Sequence, residues 1–282
     1  MIIKPIFWNS NQNRIRSGYR IILQLTLFFI LMKSLKLILG IPNTFQGNTS
    51  LEYIFLGGIV RLLRVAISVW ISCRIFERRP ITDLGLSFNN KWWINLGFGI
   101  GLGILMMSIV FVIELSFGWV TITDTFFTGV IDRSFILSFI VFSFFFACVG
   151  FSEELASRGY HLTNFAEGMN FKTLGSKIAI IIAVIFSSLL FGLFHLGNSN
   201  ANLISTLGII LWVFLFTLPF ILTGSLAISI GIHFSWNLFQ GCVFGFPVSG
   251  HTFPMESVSI FQLNKVALKF GLVVNLVPKQ DY

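Results

Sequence analysis

The chain has 282 residues, 55% of them hydrophobic and only 11% charged, with a formal net charge of +8 and a mean hydropathy of +0.86. A soluble domain carries about 25% charged residues, so this composition excludes a water-clothed globule and points to a polytopic membrane protein. The positive charge is not gathered into a basic stripe interleaved with aromatics in a soluble module, so the expected partner of that charge is the lipid bilayer and not nucleic acid.

Crossing about 30 Å of hydrocarbon takes about 20 residues of helix. Runs of that kind lie near 20–40, 54–76, 93–116, 134–152, 177–196, 203–222 and 224–246, the last two separated by little more than a Thr-Gly turn. An eighth apolar segment, 257–277, carries Lys265 and Lys269 and fits either a final span or an interfacial helix. The runs are continuous and not alternating, which argues against a barrel. The first long run has spanning length, so no cleavable signal peptide is expected. The fold class is therefore all-α: a polytopic transmembrane bundle of 7–8 helices, with residues 1–282 forming a single integral membrane domain and no internal repeat.

Orientation follows from Lys and Arg in short loops. Lys4, Arg14, Arg16 and Arg20 precede the first span; Arg74, Arg78, Arg79 and Lys91 follow the second; Arg158, Lys172 and Lys177 follow the fourth. The alternate loops 41–53, 117–133 and 197–202 hold only Arg133 between them. This asymmetry predicts a cytoplasmic N-terminus. The same basic loops lead to the expectation that any site near Glu153 opens on the cytoplasmic side.

Within GFGIGLG (97–103) two GxxxG spacings overlap, as close helix packing requires. A nucleotide loop is a poor reading there, because no strand precedes the glycines. Arg61 and Arg64 share a helix face and are expected to pair with Glu114 or to snorkel, and Glu114 itself is expected to be structural or solvated. Cys73, Cys148 and Cys242 form no CxxC pair and read as small apolar packing residues.

A charge at the bilayer centre costs about 2.5–3.5 kcal/mol on insertion scales, so polar groups inside apolar spans need a reason. Most of the eleven acids, Glu77 and Glu167 among them, fall in predicted loops; Glu114, Glu153 and Glu154 lie in or beside spans. His195 and His233 lie inside spans, and Asn237 follows His233 by four residues. Residues i and i+4 share a helix face, so His233 projects with Asn237, Phe191 with His195, and Glu154 with Arg158. Adjacent Glu153 and Glu154 diverge by about 100°. One can therefore aim into a bundle cavity while the other is held by Arg158 or backbone donors. A desolvated carboxylate is a useful general base for water. His195 can share that water or ligate a metal, and His233 with Asn237 can hold a metal or donate to a developing oxyanion. Such groups suit hydrolysis of an amide bond inside the membrane.

Taken in order, EExxxR at Glu153–Arg158, FxxxH at Phe191–His195 and HxxxN at His233–Asn237 resemble the CPBP family, the CAAX-protease and bacteriocin-processing membrane proteins related to the type II CAAX prenyl endopeptidase. The words ITDLGLSF at 81–88 and GCVFGFPVSG at 241–250 also look like prokaryotic members. The resemblance implies a catalytic core over 134–246, an enclosed membrane cavity, and location in a prokaryotic cell membrane. It implies that Glu153 activates water, that Glu154 and Arg158 support it, that His195 helps, and that His233 and Asn237 stabilise the oxyanion. Members are often described as metalloproteases, which implies Zn2+ on Glu153, His195 and His233. The chain lacks HExxH and an Asn amide is a poor zinc ligand, so a metal-free glutamate-base mechanism stays open.

The activity expected is therefore an intramembrane (metallo)endopeptidase acting on a hydrophobic or lipid-tethered peptide or protein. Two alternatives stand beside it. One is a non-catalytic immunity or scaffold protein on the same fold; the other is a cation- or proton-coupled transporter, which usually comes with inverted repeats.

Overall fold

A computed structural model of the chain describes residues 7–10, 12–39, 50–129, 133–198, 201–249 and 258–265. Helix α1 is Ser17–Leu39 and α2 is Leu51–Ile71, which runs on as a widened π-helical turn, Ser72–Glu77. A short 3-10 turn at Ile81–Leu84 leads to α3, Asn90–Ser116, whose first turn is capped by the Asn89 side chain accepting from the Trp92 amide. Helix α4, Phe135–Glu154, passes into a π-helical segment, Leu155–Leu162, and then α5, Thr163–Met169. Helix α6 is Gly175–His195, α7 is Leu203–Thr223, and α8 is Ala227–Leu238 with a π-helical turn at Phe239–Val243. Six of these helical stretches are long and apolar enough to cross a membrane.

The seventh span expected at 224–246 is realised as α8, twelve residues that are buried on nearly every side. Its length is below that of an independent span because it is surrounded by protein rather than lipid: α3, α4 and α7 all pack against it. Close approach of α3 and α8 depends on glycine. A Cβ on Gly231 would fall within 2.5–2.9 Å of the α3 backbone at Leu96, Gly99 and Ile100. Of the two predicted GxxxG spacings, Gly99 and Gly103 make this contact, while Gly97 and Gly101 face open space.

The eighth segment is corrected. Val258–Lys265 is a strand and neither a span nor an interfacial helix; the rest of 257–277 lies outside the described residues. This strand, β4, pairs antiparallel with β3, Val120–Thr128, from Val120↔Lys265 to Thr128↔Val258. Phe261 and Leu263 of β4 lie against Phe111, Phe244 and Phe246, and stacking of Phe261 on Phe111 at 5.6 Å fixes the sheet to the end of the bundle where α3 stops and α4 begins. A two-residue pair, β1 (Trp8–Asn9) with β2 (Arg14–Ile15), precedes α1.

Large apolar side chains cover the outside, and a set of polar and charged groups lies inside among apolar core clusters. Ile94, Leu211 and Leu222 are among many large side chains that face outward, whereas Arg20, Gln24, Glu77, Glu154, Arg158 and Asn164 are almost fully buried. Lipid tails give apolar surfaces no reason to hide, and a polar group in hydrocarbon must find a partner within the protein. Glu77 and Glu167, read from sequence as loop acids, sit instead in the π turn after α2 and in α5. There they tie the chain's basic end together. Glu167 holds Arg14 at 3.1 Å, Arg20 at 3.0 Å and Arg79 at 2.8 Å. Glu77 accepts from Asn164 at 2.6 Å and pairs with Arg79. Burial works against the Arg79 charge, but Glu77 and Glu167 outweigh it and raise its pKa above the ordinary guanidinium value. The three cysteines are free and buried, as their scatter predicts.

Candidate active site

Helix α4 carries both acids at the end of an aromatic run, and α2 packs alongside it. Gly58 of α2 lies against Phe145 and Cys148, where an added Cβ would come within 3.3 Å of the Phe145 backbone. One turn further along α2 stands Arg61, whose guanidinium forms an ion pair with Glu153 Oε1. The expectation that Arg61 would pair with Glu114 or snorkel is thus corrected, and the close α2–α4 approach is the reason. Arg64 lies over the Phe28 ring at 5.2 Å.

The two carboxylates diverge as the helical geometry predicts. Glu153 turns Oε2 toward a cavity, 3.7 Å from His233 Nε2 and 3.9 Å from His195 Nε2. Glu154 is fully buried on the other side. Its Oε1 receives Arg158 at 2.9 Å and His233 Nδ1 at 2.7 Å. Arg158 is also fully buried, close to the hydroxyls of Ser157 at 2.7 Å and Thr217 at 3.3 Å and over the Phe191 ring at 5.2 Å. So Glu154 contacts His233 directly, and Arg158 contacts Glu154.

Hydrogen bonding constrains both imidazoles. The Phe191 carbonyl, 2.8 Å from His195 Nδ1, can only accept. Nδ1 of His195 therefore donates, which leaves Nε2 as an acceptor when the ring is neutral. His233 is held the same way, with Nδ1 donating to the Glu154 carboxylate, and its Nε2 donates only when the ring carries a second proton. Phe191 explains the FxxxH spacing: its carbonyl fixes His195 and its ring lies beneath Arg158. Asn237, one turn after His233, reaches the same cavity.

That cavity measures about 450 Å³. Helices α3 and α7 form facing walls, with Met107 and Val110 on one and Gly208 and Trp212 on the other, and α8 closes the back with His233, Trp236 and Asn237. Glu153 and Phe216 lie at the bottom, and Trp119, Ala201, Pro247 and Ser249 are at the far end. Glu114, expected to be structural or solvated, stands in the wall. The structure thus brings Glu153, His195, His233 and Asn237 together around one space, with Glu154 and Arg158 behind His233. Sequence reasoning did not assign Arg61 to the site, although a charge in mid-span was a signal. It also passed over Trp212 and Trp236, whose rings lie 4.5 Å apart, because single aromatics in apolar helices carry no signal.

Arg61 already sets a cation on the Glu153 carboxylate, where zinc would have to bind, and the described residues include no cluster of three His, Cys, Asp or Glu spaced for a metal.

Fold and site together define an integral membrane protein that holds an acid–imidazole–amide cluster in its interior, the class to which intramembrane proteases belong. Residues 134–239 match the family model described as type II CAAX prenyl endopeptidase Rce1-like. The matched stretch contains all three motifs, and the resemblance read from them is borne out. Comparison with curated proteins and with solved structures gave no match.

Proposed function

We propose that the protein is an intramembrane endopeptidase that cleaves a peptide bond of a hydrophobic or lipid-tethered peptide or protein by a metal-free, glutamate-base mechanism. A water molecule hydrogen-bonds to Glu153 Oε2 and to His195 Nε2. Its oxygen attacks the scissile carbonyl carbon while a proton passes to Glu153. The Asn237 amide donates to the resulting oxyanion, joined by His233 Nε2 when that ring is doubly protonated. The C–N bond then breaks, the proton moves from Glu153 to the leaving nitrogen, and a carboxylic acid and an amine depart. Arg61 holds Oε1 so that Oε2 faces the water. The apolar, aromatic walls accept a greasy chain segment.

The observation that carries this reading is the placement of Glu153 Oε2 between two histidine Nε2 atoms at the base of an apolar cavity. Purified protein and its Glu153→Gln variant, assayed on a panel of lipidated and unlipidated peptides with and without a chelator, test it. Cleavage by the parent in chelator and none by the variant is expected. Equal cleavage by both removes Glu153 from the chemistry, and no cleavage by either leaves the non-catalytic scaffold; activity lost in chelator and restored by zinc removes the metal-free step.

A further inference from the structure

We infer that the cavity is served from the extracytoplasmic face of the membrane, so that the occupant is a peptide already exported or anchored on the outer leaflet. This deepens the endopeptidase reading and rests on it only in calling the occupant a substrate. It also reverses the expectation, drawn from the basic loops, that the site opens to the cytoplasm.

The two ends of the bundle differ in charge. Around the Glu77–Glu167 cluster stand Arg14, Arg20 and Arg79, and the loops and helix ends on that side add Arg16, Arg74, Arg78, Lys91, Lys172 and Lys177. At the opposite end are Lys33 and Lys36 late in α1, Arg133, which is paired with Glu52 at 2.7 Å, and Lys265 closing β4. Lysine and arginine in short loops accumulate on the cytoplasmic side, so the clustered end is cytoplasmic and the β3–β4 sheet is external.

The cavity belongs to the sheet end. Trp119 leads into β3, Ala201 precedes α7, and Pro247 and Ser249 follow the π turn after α8; all four lie in connections at that end. Asn198 donates to the Ser249 carbonyl and Gln240 to that of Pro247, which holds these connections around the opening. Toward the basic end the path is shut. Beneath Glu153 come Glu154, Leu155, Arg158 and Tyr160, and then Leu84 and Leu226, all with no exposure. Gly159 is pressed there against Leu84 and Leu226, and the Leu226 amide donates to the Gly85 carbonyl at 3.1 Å. Water and peptide therefore meet Glu153 from the outside, and the reaction that supplies substrate must be one that moves a peptide across the membrane.

The test is labelling of single added cysteines by a membrane-impermeant maleimide in expressing cells and in inverted vesicles. The native thiols are buried and give little background. Ala201→Cys and Ser249→Cys report the opening, and exposed Lys172→Cys reports the basic end. The two opening cysteines are expected to label in intact cells and lose that labelling in inverted vesicles, with Lys172→Cys showing the reverse. Labelling of Ala201→Cys and Ser249→Cys from the inner face, or equally from both, overturns the inference. Repeating the series with Glu153→Gln separates the two proposals, because labelling needs no turnover: outward labelling without peptide cleavage sinks the enzyme and spares the orientation, and inward labelling with cleavage does the opposite.

Discussion

The two carboxylate oxygens of Glu153 face different neighbours. Arg61 takes Oε1, and Oε2 is left to face the histidines. In the proposed mechanism Arg61 is a positioning residue, which touches the base and not the peptide. An error of about 1 Å in the placement of a reacting group costs on the order of 100-fold in rate, so Arg61→Gln should lower kcat by about that factor and leave KM nearly unchanged. Arg61→Lys should recover part of the loss, since an ammonium can still pair with Oε1. If the KM rose and kcat stayed constant, the residue would belong to substrate binding. A second expectation concerns Glu154. Removing one member of a buried pair costs about 3–5 kcal/mol, because the remaining charge is left without compensation. Glu154→Leu should thus lower the melting temperature in detergent sharply, and Glu154→Leu with Arg158→Leu should melt higher than either single variant. Additive losses would mean that Glu154 and Arg158 are not coupled.

At the scale of elements, the contact between α3 and α8 sets the back wall of the site. Overpacking by a methyl group costs about 1–3 kcal/mol when the neighbours cannot yield, and here the neighbours are backbone atoms. Gly231→Ala should destabilise by that amount, whereas Gly97→Ala, which meets nothing within 4 Å, should be neutral or slightly stabilising because alanine is the better helix former. Thermal unfolding in detergent decides between them, and equal behaviour would place both glycines outside the contact. This pair also shows what sequence can and cannot supply. The GxxxG spacing announced a close helix contact, but its two registers are equivalent on paper; only the partner helix selects Gly99 and Gly103. The divergence of Glu153 and Glu154 was legible, because it follows from 100° per residue alone. The Arg61–Glu153 pair was not, because it depends on two helices 92 positions apart in sequence meeting at Gly58. Nor was β4, since an apolar stretch bearing Lys265 reads as helix or strand until β3 provides the edge that it pairs with.

At the scale of the whole molecule, large apolar side chains face outward, and among the described residues the buried charged and imidazole groups gather in two places, the clustered basic end and the base of the cavity. Between the facing walls of α3 and α7 the protein keeps about 450 Å³ open, although helix packing normally closes such space. An open volume maintained against packing is the feature a substrate would use, and this can be tested apart from the chemistry. Gly208 lies in the wall, and a Cβ there meets nothing within 4 Å. Gly208→Phe should therefore enter the cavity without disturbing the helix. If the peptide occupies this space, losing contacts worth about 1.4 kcal/mol raises KM tenfold, and the effect should grow with the bulk of the substrate's apolar group. Gly101→Phe, on an outward-facing position of α3 with nothing within 4 Å, should leave KM as it was. The two variants add the same side chain to the same kind of apolar helix, so stability or insertion defects would affect them alike. A rise in KM for Gly208→Phe alone assigns the cavity to the substrate, whereas unchanged kinetics for both would put the peptide elsewhere, along the membrane-facing flank of the bundle.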